Sequence, residues 1–224
     1  MKAVCDRYGA LLILDEVMCG MGRTGTLHAW EQEDVVPDIQ TVGKGLGAGY
    51  GTISAVLVKS WLVTALQNGG KMFAHGQTYM AHPLSAAAAL KVQQIIQDEG
   101  LVKNVREMGK YLESQLKERL APHPNVGDIR GRGLFWAVEF VADKATKEPF
   151  PSSLGLSSKL HSKGLSKGYE LALFNATGSA DGYAGDHVVL APPYIVEKAD
   201  VDEIVDRLSR VIDDTLRELK VHKE

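Results

Sequence analysis

The sequence has few cysteines, little net charge and no long apolar run. Only two of its 224 residues are cysteine, and Cys5 and Cys19 lack the spacing of a metal site or a redox pair. Isolated thiols of this kind predict a reducing compartment. No apolar run approaches the roughly 18 residues that a membrane-spanning helix needs. Because the formal net charge is only −3, we expect neither nucleic acid nor a membrane surface as a partner.

The sequence also carries no recognisable signal peptide or low-complexity segment. We therefore expect a cytoplasmic protein, with a mitochondrial location as the alternative if a presequence precedes Met1. A composition of 45% hydrophobic and 24% charged residues is that of an ordinary folded α/β chain. Its length predicts one or two domains.

The chain is organised around the segment from residue 11 to residue 49. The apolar residues Ala10–Leu14 are followed directly by Asp15 and Glu16. A short continuous apolar run of this kind predicts a strand buried on both faces, as in parallel sheets. Carboxylates at the carboxyl end of such a strand lie where open α/β sheets bind their ligands.

A lysine follows the next apolar run. Lys44 comes twenty-nine residues after Asp15, close behind the second short run Ile39–Val42. It stands among four glycines, Gly43, Gly45, Gly47 and Gly49. Their missing Cβ atoms let the backbone pass close to a bound molecule. The acid and the lysine therefore each end a predicted parallel strand, and we expect both to face one crevice.

This pair of residues fits the chemistry of pyridoxal phosphate. A lysine held at a strand end can form a Schiff base with a carbonyl group. A carboxylate that keeps a pyridine nitrogen protonated makes the cofactor a stronger electron sink. A structural interpretation is equally compatible with the spacing: Asp15 then caps a loop, and Lys44 is a solvated surface residue.

Two nucleotide-binding patterns overlap the same segment. Residues 11–16 fit the apolar strand of a Walker B motif, in which Asp15 would help to bind a magnesium ion. The chain contains no Gly-x-x-x-x-Gly-Lys-[Ser/Thr] phosphate loop, although one could precede Met1. Gly20–Gly25 matches Gly-x-Gly-x-x-Gly, but Asp15–Cys19 separates it from the strand. A dinucleotide site requires the first glycine at the strand-to-helix turn.

Further motifs continue along the chain. In order they are Leu11–Gly25 (Leu-Leu-Ile-Leu-Asp-Glu-Val-x-x-Gly-x-Gly-Arg-Thr-Gly), Ala29-Trp30-Glu31, Pro37-Asp38, Gly43–Gly47, His75–Tyr79, His82-Pro83-Leu84, Arg130–Leu134, Gly185-Asp186-His187 and Pro192-Pro193. Together they closely resemble the class III (ω-type) aminotransferases. The resemblance covers nearly the whole chain with the motifs in the family's order, and it implies pyridoxal 5′-phosphate as the cofactor.

The resemblance also implies the fold, which is fold type I of the pyridoxal-phosphate-dependent transferases, an α/β architecture. It begins well inside the family's large domain, so the chain corresponds to the carboxyl-terminal half of an aminotransferase. Residues 1–100 are expected to be the C-terminal part of the large cofactor-binding domain, with a partial mixed, mostly parallel sheet. Residues 101–224 are expected to be a small C-terminal α/β domain.

Apolar periodicity gives the elements of the second half. It predicts strands at Val126–Ile129, Leu134–Val141 and Leu171–Phe174, a helix at Ser157–Lys167 and a terminal amphipathic helix at Val201–Leu219. Gly131–Gly133 is expected to be the turn between the first two strands. Strands that alternate with helices predict a small α/β domain.

The resemblance assigns roles to three residues near the first two strands. Lys44 would carry the cofactor as a Schiff base and act as the base that moves a proton at the substrate carbon. Asp15 would pair with the pyridinium nitrogen. Val17, two residues further on the same face of an extended segment, would pack against the cofactor ring. The implied reaction moves an amino group between an amine or amino acid and a 2-oxo acid, and no metal is expected.

Thr78 is the fourth candidate site residue. By resemblance it reaches across the interface of a homodimer with a shared active site, where its hydroxyl and amide bind the cofactor phosphate of the neighbouring subunit. Alternatively, Thr78 caps the helix that follows, with Pro83 at the first helical position.

The substrate site departs from the family's pattern. Many relatives carry an arginine three residues before the Pro-Pro pair, or in the loop before it, which holds a substrate carboxylate through two hydrogen bonds. Val189 occupies the first position here, and Asn175–Asp186 contains no arginine. We therefore expect amines, ω-amino acids or polyamine-like donors, with a keto acid as acceptor, rather than glutamate-type recognition of an α-carboxylate.

Two hypotheses of other classes compete with a transaminase. The chain could be a truncated, non-catalytic fragment or an interaction partner of a full-length aminotransferase, because half of a sheet leaves unpaired edges and an incomplete phosphate site. A P-loop ATPase fragment would instead bind nucleotide and form no lysine–pyridoxal adduct.

Overall fold

The computed structural model describes residues 1–70 and 72–221. The chain divides into two compact units, Met1–Lys103 and Asn104–Glu224. The sequence predicts a domain boundary near residue 100, which lies about one helical turn before the division at Lys103. The identification of the two units with part of a large cofactor-binding domain and a small domain stays a prediction.

The first unit combines three helices with three short strands. In chain order they are α1 (Lys2–Tyr8), β1 (Ile13–Asp15), β2 (Ile39–Val42), β3 (Ala55–Val58), α2 (Ser60–Asn68) and α3 (Pro83–Asp98). Pro83 is the first residue of α3, where its missing N–H costs no helical hydrogen bond. Gly9 ends α1 in the left-handed conformation that glycine adopts without steric strain.

The sheet of the first unit is mixed. Its order is β1-β2-β3, with β1 parallel to β2 and β3 antiparallel to β2. The parallel pairing predicted for the first two strands is confirmed, and it places Asp15 directly opposite Thr41. Because both chains run in the same direction, the segments that follow Asp15 and Val42 leave the sheet at the same edge.

The expectation that the first strand is buried on both faces is wrong for this chain. Leu12 is buried, with 6% of its surface exposed, but Ile13 is 57% exposed and Leu11 is 42% exposed. β1 is an edge strand of a three-stranded sheet, and its Ile13 remains more than half exposed. A continuous apolar run therefore shows which residues could be buried, while burial itself depends on what packs on each face.

The second unit is built on an antiparallel sheet and three helices. The elements are α4 (Leu101–Leu120), which begins just before the division, β4 (Val126–Arg132), β5 (Phe135–Phe140), α5 (Leu156–Gly164), β6 (Phe174–Ala176), β7 (Asp186–Leu190) and α6 (Lys198–Val221). The sheet order is β4-β5-β7-β6, and each of its pairs is antiparallel. The predicted α/β class is confirmed, with a mixed sheet in one unit and an antiparallel sheet in the other.

One face of this second sheet forms the core. Along β5, Trp136, Val138 and Phe140 are buried, whereas the residues between them are only half-buried. This alternation is the period of two that strand geometry imposes on a sheet with one covered face. The helices α4 and α6 supply the covering apolar stripes, whose fully buried members include Leu112, Leu116, Leu208 and Ile212.

Several boundaries in the second unit differ from the sequence-based expectation. β4 continues through Arg132, and the hairpin turn is formed by residues 133 and 134. A Cβ atom at Gly131 would lie 2.3 Å from the carbonyl oxygen of Phe135, so this glycine permits close strand approach and does not form the turn. The helix α5 ends at Gly164. The Leu171 N–H donates to the Gly164 carbonyl (2.7 Å), and β6 begins only at Phe174.

In the described part of the chain, no helix is both long and apolar enough to cross a membrane.

Candidate functional site

Asp15 ends β1 at the edge where the chain leaves the sheet. Its Oδ1 accepts hydrogen bonds from the Val17 N–H (3.0 Å) and from the Thr41 hydroxyl (3.1 Å). Oδ2 takes part in no hydrogen bond among the described residues. The residue is exposed, so the protein fixes one carboxylate oxygen and leaves the other without a hydrogen bond among the described residues.

Lys44 follows β2 after a single residue. Gly43 is extended, and Lys44 opens a three-residue 3₁₀ turn, Lys44–Leu46. Lys44 itself adopts a left-handed backbone conformation, with φ at 39°. Its side chain is exposed, and the structure gives its ammonium group no hydrogen bond or ion pair with any described residue. The amine is therefore accessible and uncommitted.

Val17 connects the segments that carry the acid and the lysine. A Cβ atom at Gly43 would lie 3.5 Å from Cγ1 of Val17, so the backbone just before Lys44 packs on this side chain. The segments that follow Asp15 and Val42 thus leave the same sheet edge, with Val17 beside Gly43; that the Asp15 and Lys44 side chains face one crevice stays a prediction. Gly47 serves the same close packing, because a Cβ atom there would lie 2.5 Å from the carbonyl oxygen of Gly51.

Glu16 is a structural residue. Its buried carboxylate accepts hydrogen bonds from the backbone N–H groups of Ala29 and Trp30, both at 2.8 Å. The Gln40 amide donates to the same carboxylate (3.0 Å), and the Trp30 indole donates to the Gln40 oxygen (3.0 Å). Satisfied buried polar groups of this kind fix a single loop conformation. Here they hold the loop that follows Val17.

Asp38 anchors the opposite ends of the same strands; the sequence motif Pro37-Asp38 carried no prediction of this role. It is buried beside Lys2 (2.9 Å) and Lys59 (3.1 Å), and it accepts the Leu12 N–H (2.9 Å). The hydrogen bonds from Lys2 and from that amide hold the pKa of the Asp38 carboxyl well below its ordinary value. In return, the hydrogen bond to Asp38 raises the pKa of Lys2.

Thr78 lies apart from the other three candidates. It is exposed in a turn closed by the hydrogen bond from the Met80 N–H to the Gln77 carbonyl (3.0 Å). No described contact joins it to Asp15 or Lys44. Nor does it cap the next helix, because α3 begins at Pro83 behind His82. The capping alternative for Thr78 is therefore wrong, and its role at a phosphate stays a prediction.

Gln93 is a site residue that the sequence did not indicate. From α3 its amide donates to the carbonyl oxygens of Gly45 (3.2 Å) and Leu46 (3.0 Å), within the turn that Lys44 opens. The available signal was weak: Gln93 is a polar residue four positions after the buried Ala89, on the side of the helix that packs inward.

Val189 lies on β7 of the second unit. Its neighbours in register are Ala137 on β5 and Phe174 on β6. It alternates with the buried Val188 and Leu190, so it lies on the face of the sheet away from the core. On this face Val189 and its two neighbours, Ala137 and Phe174, carry apolar side chains.

Among the residues that the structure describes, no group of three or more His, Cys, Asp or Glu side chains lies close enough together to hold a metal ion.

Comparisons with known proteins agree on one family. The chain matches the family described as aminotransferase class-III over residues 1–212. An aminotransferase of Gibberella zeae is 53% identical over 212 residues, which cover 95% of this chain and 41% of that protein. The chloroplastic gamma aminobutyrate transaminase 3 of Solanum lycopersicum is 33% identical over 229 residues, which cover 100% of this chain and 42% of that protein.

A solved structure leads to the same family. The PMP-bound form of an aminotransferase from Vibrio fluvialis superposes with a TM-score of 0.85 at 34% sequence identity, and it covers 96% of this chain. The chain accounts for 46% of that structure. It therefore spans less than half the length of each of these three proteins.

Proposed function

The chain belongs to the class III aminotransferases, and from that premise we propose that it is the part of a transaminase that carries the reactive lysine. The observation that carries the proposal is that the segments after Asp15 and Val42 leave one edge of a sheet, with Val17 beside Gly43. The reaction would transfer an amino group between an amine or amino acid and a 2-oxo acid. Because the chain spans less than half of its relatives, the proposal concerns the intact protein to which these residues belong.

The cofactor of the family is pyridoxal 5′-phosphate, and the residues present fit it. Lys44 offers an amine that no described residue engages. Asp15 offers a carboxylate oxygen, Oδ2, that accepts no hydrogen bond within the described chain. A flat heteroaromatic ring with a basic nitrogen and an aldehyde requires an acid and an amine of this kind. Val17 supplies an apolar contact beside them.

When bound, pyridoxal 5′-phosphate supplies an aldehyde for the amino group and a ring that accepts electrons from the bond broken at the substrate carbon. The ε-amine of Lys44 would hold the cofactor covalently and, once released, move the proton at that carbon. The Asp15 carboxylate would hold a proton on the ring nitrogen. The Thr41 hydroxyl would orient Asp15 by fixing Oδ1, which leaves Oδ2 for the ring.

The phosphate contact is the role proposed for Thr78. Its hydroxyl is exposed and has no hydrogen-bond partner among the described residues. No described contact joins Thr78 to Asp15 or Lys44, and we propose that it binds the cofactor phosphate of a neighbouring subunit in a homodimer with shared active sites. A hydroxyl with adjacent backbone amides is a suitable anion ligand.

The substrates we propose are simple amines or ω-amino acids, with a 2-oxo acid as acceptor. Val189 stands where many relatives carry a carboxylate-binding arginine, and the loop that precedes it contains no arginine. The tomato relative, described as a gamma aminobutyrate transaminase, supports a donor whose amine lies far from its carboxylate. A donor without an α-carboxylate does not require a bidentate arginine.

Activity assays on the intact protein purified from its source test this proposal. We expect amino transfer from an amine to pyruvate in the wild type and none in Lys44→Ala. Lys91→Ala is the matched control, because Lys91 is an exposed lysine on α3 without a described partner. Equal transfer by Lys44→Ala and the wild type would overturn the assignment of the reactive lysine.

A second candidate is a non-catalytic fragment that binds a full-length aminotransferase. It is favoured by apolar side chains exposed on both faces of β3, at Val56, Leu57 and Val58, and by Trp61 on α2. The 224-residue chain, expressed alone, distinguishes the two. If it forms no pyridoxal adduct but elutes in a complex with a full-length relative, the fragment role is favoured.

A further inference from the structure

Gln93 holds the turn from which Lys44 projects. On this geometry, and resting on the function proposed above, we propose that Gln93 is a positioning residue: it fixes the backbone of Lys44–Leu46 and thereby the location of the Lys44 amine. Its amide nitrogen lies 3.2 Å from the carbonyl oxygen of Gly45 and 3.0 Å from that of Leu46. One donor group from a remote helix thus bridges two successive carbonyls of the turn.

Three backbone hydrogen bonds close the turn, the first from the Leu46 N–H to the Gly43 carbonyl (2.9 Å). The N–H groups of Gly47 and Ala48 both donate to the Lys44 carbonyl, at 3.2 Å and 2.8 Å. The carbonyls of Gly45 and Leu46 therefore receive no backbone hydrogen bond, and Gln93 is their partner among the described residues. Such orphan carbonyls at the end of a short helical turn need a partner.

The conformation of Lys44 adds to this requirement. Its φ of 39° lies in the left-handed region, which side chains other than glycine rarely adopt. A strained backbone of this kind persists only where the surrounding structure holds it, and it recurs at functional sites. Val17 and Gly51 pack against the residues on either side of the turn, and Gln93 adds side-chain hydrogen bonds to the turn from outside it.

The helix that carries Gln93 is itself fixed against the lysine segment. The inward face of α3 contains the buried residues Ala89, Val92 and Ile96. A Cβ atom at Gly51 would lie 3.1 Å from the Cβ of Ala88, so this glycine allows the helix to approach the segment closely. A side chain on a packed helix holds its partner more rigidly than a loop side chain does.

The functional consequence follows from the length of the lysine side chain. The amine stands at the end of a flexible four-carbon stem, so the backbone of Lys44 determines the volume that the amine can reach. Loss of the two hydrogen bonds would let the turn relax, and the Lys44 amine would then move through a larger volume. Reactive groups that are displaced by about 1 Å can lose up to a hundredfold in rate, and we expect a smaller loss from a loosened turn.

The kinetics of cofactor attachment test the proposal. Intact protein is freed of cofactor and mixed with excess pyridoxal 5′-phosphate, and the absorbance of the lysine-bound cofactor is followed in a stopped-flow instrument. The amplitude at saturation measures the fraction of competent protein, and the limiting rate measures the positioning of the amine. Gln93→Glu is the principal variant, because it keeps the shape and removes the donor when ionised. Gln93→Leu removes both polar groups.

The next residue of α3 gives the matched controls. Gln94 is exposed, so Gln94→Glu and Gln94→Leu make the same chemical changes away from the turn. We expect the limiting rate to fall about tenfold in both Gln93 variants, with an unchanged amplitude, and to stay within about twofold in both Gln94 variants. Amide exchange at Gly47 and Ala48, measured without cofactor, should accelerate only in the Gln93 variants.

The outcomes separate this proposal from the proposed function. If the wild type attaches the cofactor and Gln93→Glu attaches it at the same limiting rate, the positioning role is overturned and the function stands. A smaller amplitude with an unchanged rate would show that Gln93 only supports folding, and it also overturns the positioning role. If the wild type attaches no cofactor at Lys44, both proposals fail together.

Discussion

The hydroxyl of Thr41 lies 3.1 Å from Oδ1 of Asp15, the residue opposite it across the parallel strands β1 and β2. A second hydrogen bond, from the Val17 N–H, reaches the same oxygen. The carboxylate is therefore oriented by the sheet and by its own turn, and Oδ2 has no hydrogen bond among the described residues. Through its hydrogen bond, Thr41 helps to fix the orientation of Asp15, the proposed partner of the cofactor ring.

Replacement of Thr41 by valine should weaken cofactor binding. Valine keeps the shape of threonine but removes the hydroxyl, and the net loss of one exposed hydrogen bond to a carboxylate is about 1 kcal/mol. We expect the Kd for pyridoxal 5′-phosphate to rise about fivefold, as measured by equilibrium dialysis on the intact protein. Thr41→Ser keeps a donor and should bind like the wild type. Equal affinity in Thr41→Val and Thr41→Ser would contradict the orienting role.

The stability of the first unit should depend on pH through Asp38. Its carboxyl has a lower pKa in the folded chain than in the unfolded chain, because Lys2 and the Leu12 N–H hydrogen-bond the charged form. The stabilisation is therefore complete above the unfolded pKa of about 3.9. It is lost as the pH falls towards the folded pKa, because the unfolded state then binds more protons.

Urea unfolding of the wild type and Asp38→Asn between pH 7 and pH 3 checks this dependence. The variant should be less stable at pH 7, and the difference should shrink as the pH falls below about 4. Asp98→Asn, an exposed carboxylate at the end of α3 without a described partner, should follow the wild type throughout. A constant difference between wild type and Asp38→Asn at every pH would contradict the assignment.

Gly109→Ala should destabilise the second unit even though alanine favours helices. A Cβ atom at this position of α4 would lie 2.4 Å from the carbonyl oxygen of Gly133 and 2.6 Å from its Cα. The overlap should cost about 1–3 kcal/mol, which exceeds the roughly 1 kcal/mol gained in helix propensity. Lys110→Ala, at the exposed next position, should change the free energy of unfolding by about 0.5 kcal/mol or less. A more stable Gly109→Ala would refute the close approach.

Val189→Arg should shift the substrate preference towards α-amino acids. An arginine there would offer two parallel hydrogen bonds to a carboxylate, which a lysine in the same place would not. We expect the ratio of kcat/KM for L-glutamate to that for a simple amine to rise about tenfold in Val189→Arg, and to rise less in Val189→Lys. If the wild type already turns over L-glutamate as well as the amine, the proposed substrate class is wrong.

Local patterns in the sequence were sufficient for the main features of the site. The apolar runs before Asp15 and Lys44 predicted two parallel strands, and the structure contains them although Ile13 in the first strand is exposed. The glycines around Lys44 predicted that the backbone can pass close to a bound molecule; in the structure Gly43 packs on Val17 and Gly47 on Gly51, within the chain itself. The strands themselves depend on residues near one another in the chain, and periodicity and composition report on such residues directly.

Long-range contacts could not be predicted in the same way. Gln93 binds carbonyls 47 and 48 residues away, and Asp38 binds Lys2 from 36 residues away. Neither pairing leaves a periodic signal, because each depends on how finished elements pack. The exposure of Ile13 was missed for a related reason: its burial depends on what covers the sheet and not on its own sequence neighbours. The hairpin turn beside Gly133 was misplaced because Gly131 serves close strand packing and not the turn.

The most direct test of the account is to identify the lysine that binds the cofactor. Intact protein is incubated with pyridoxal 5′-phosphate, reduced with borohydride, digested and analysed by mass spectrometry. The account predicts one stable adduct per chain on the peptide that contains Lys44, and no adduct there in Lys44→Arg. An adduct on another lysine, or none in a folded protein, would contradict it.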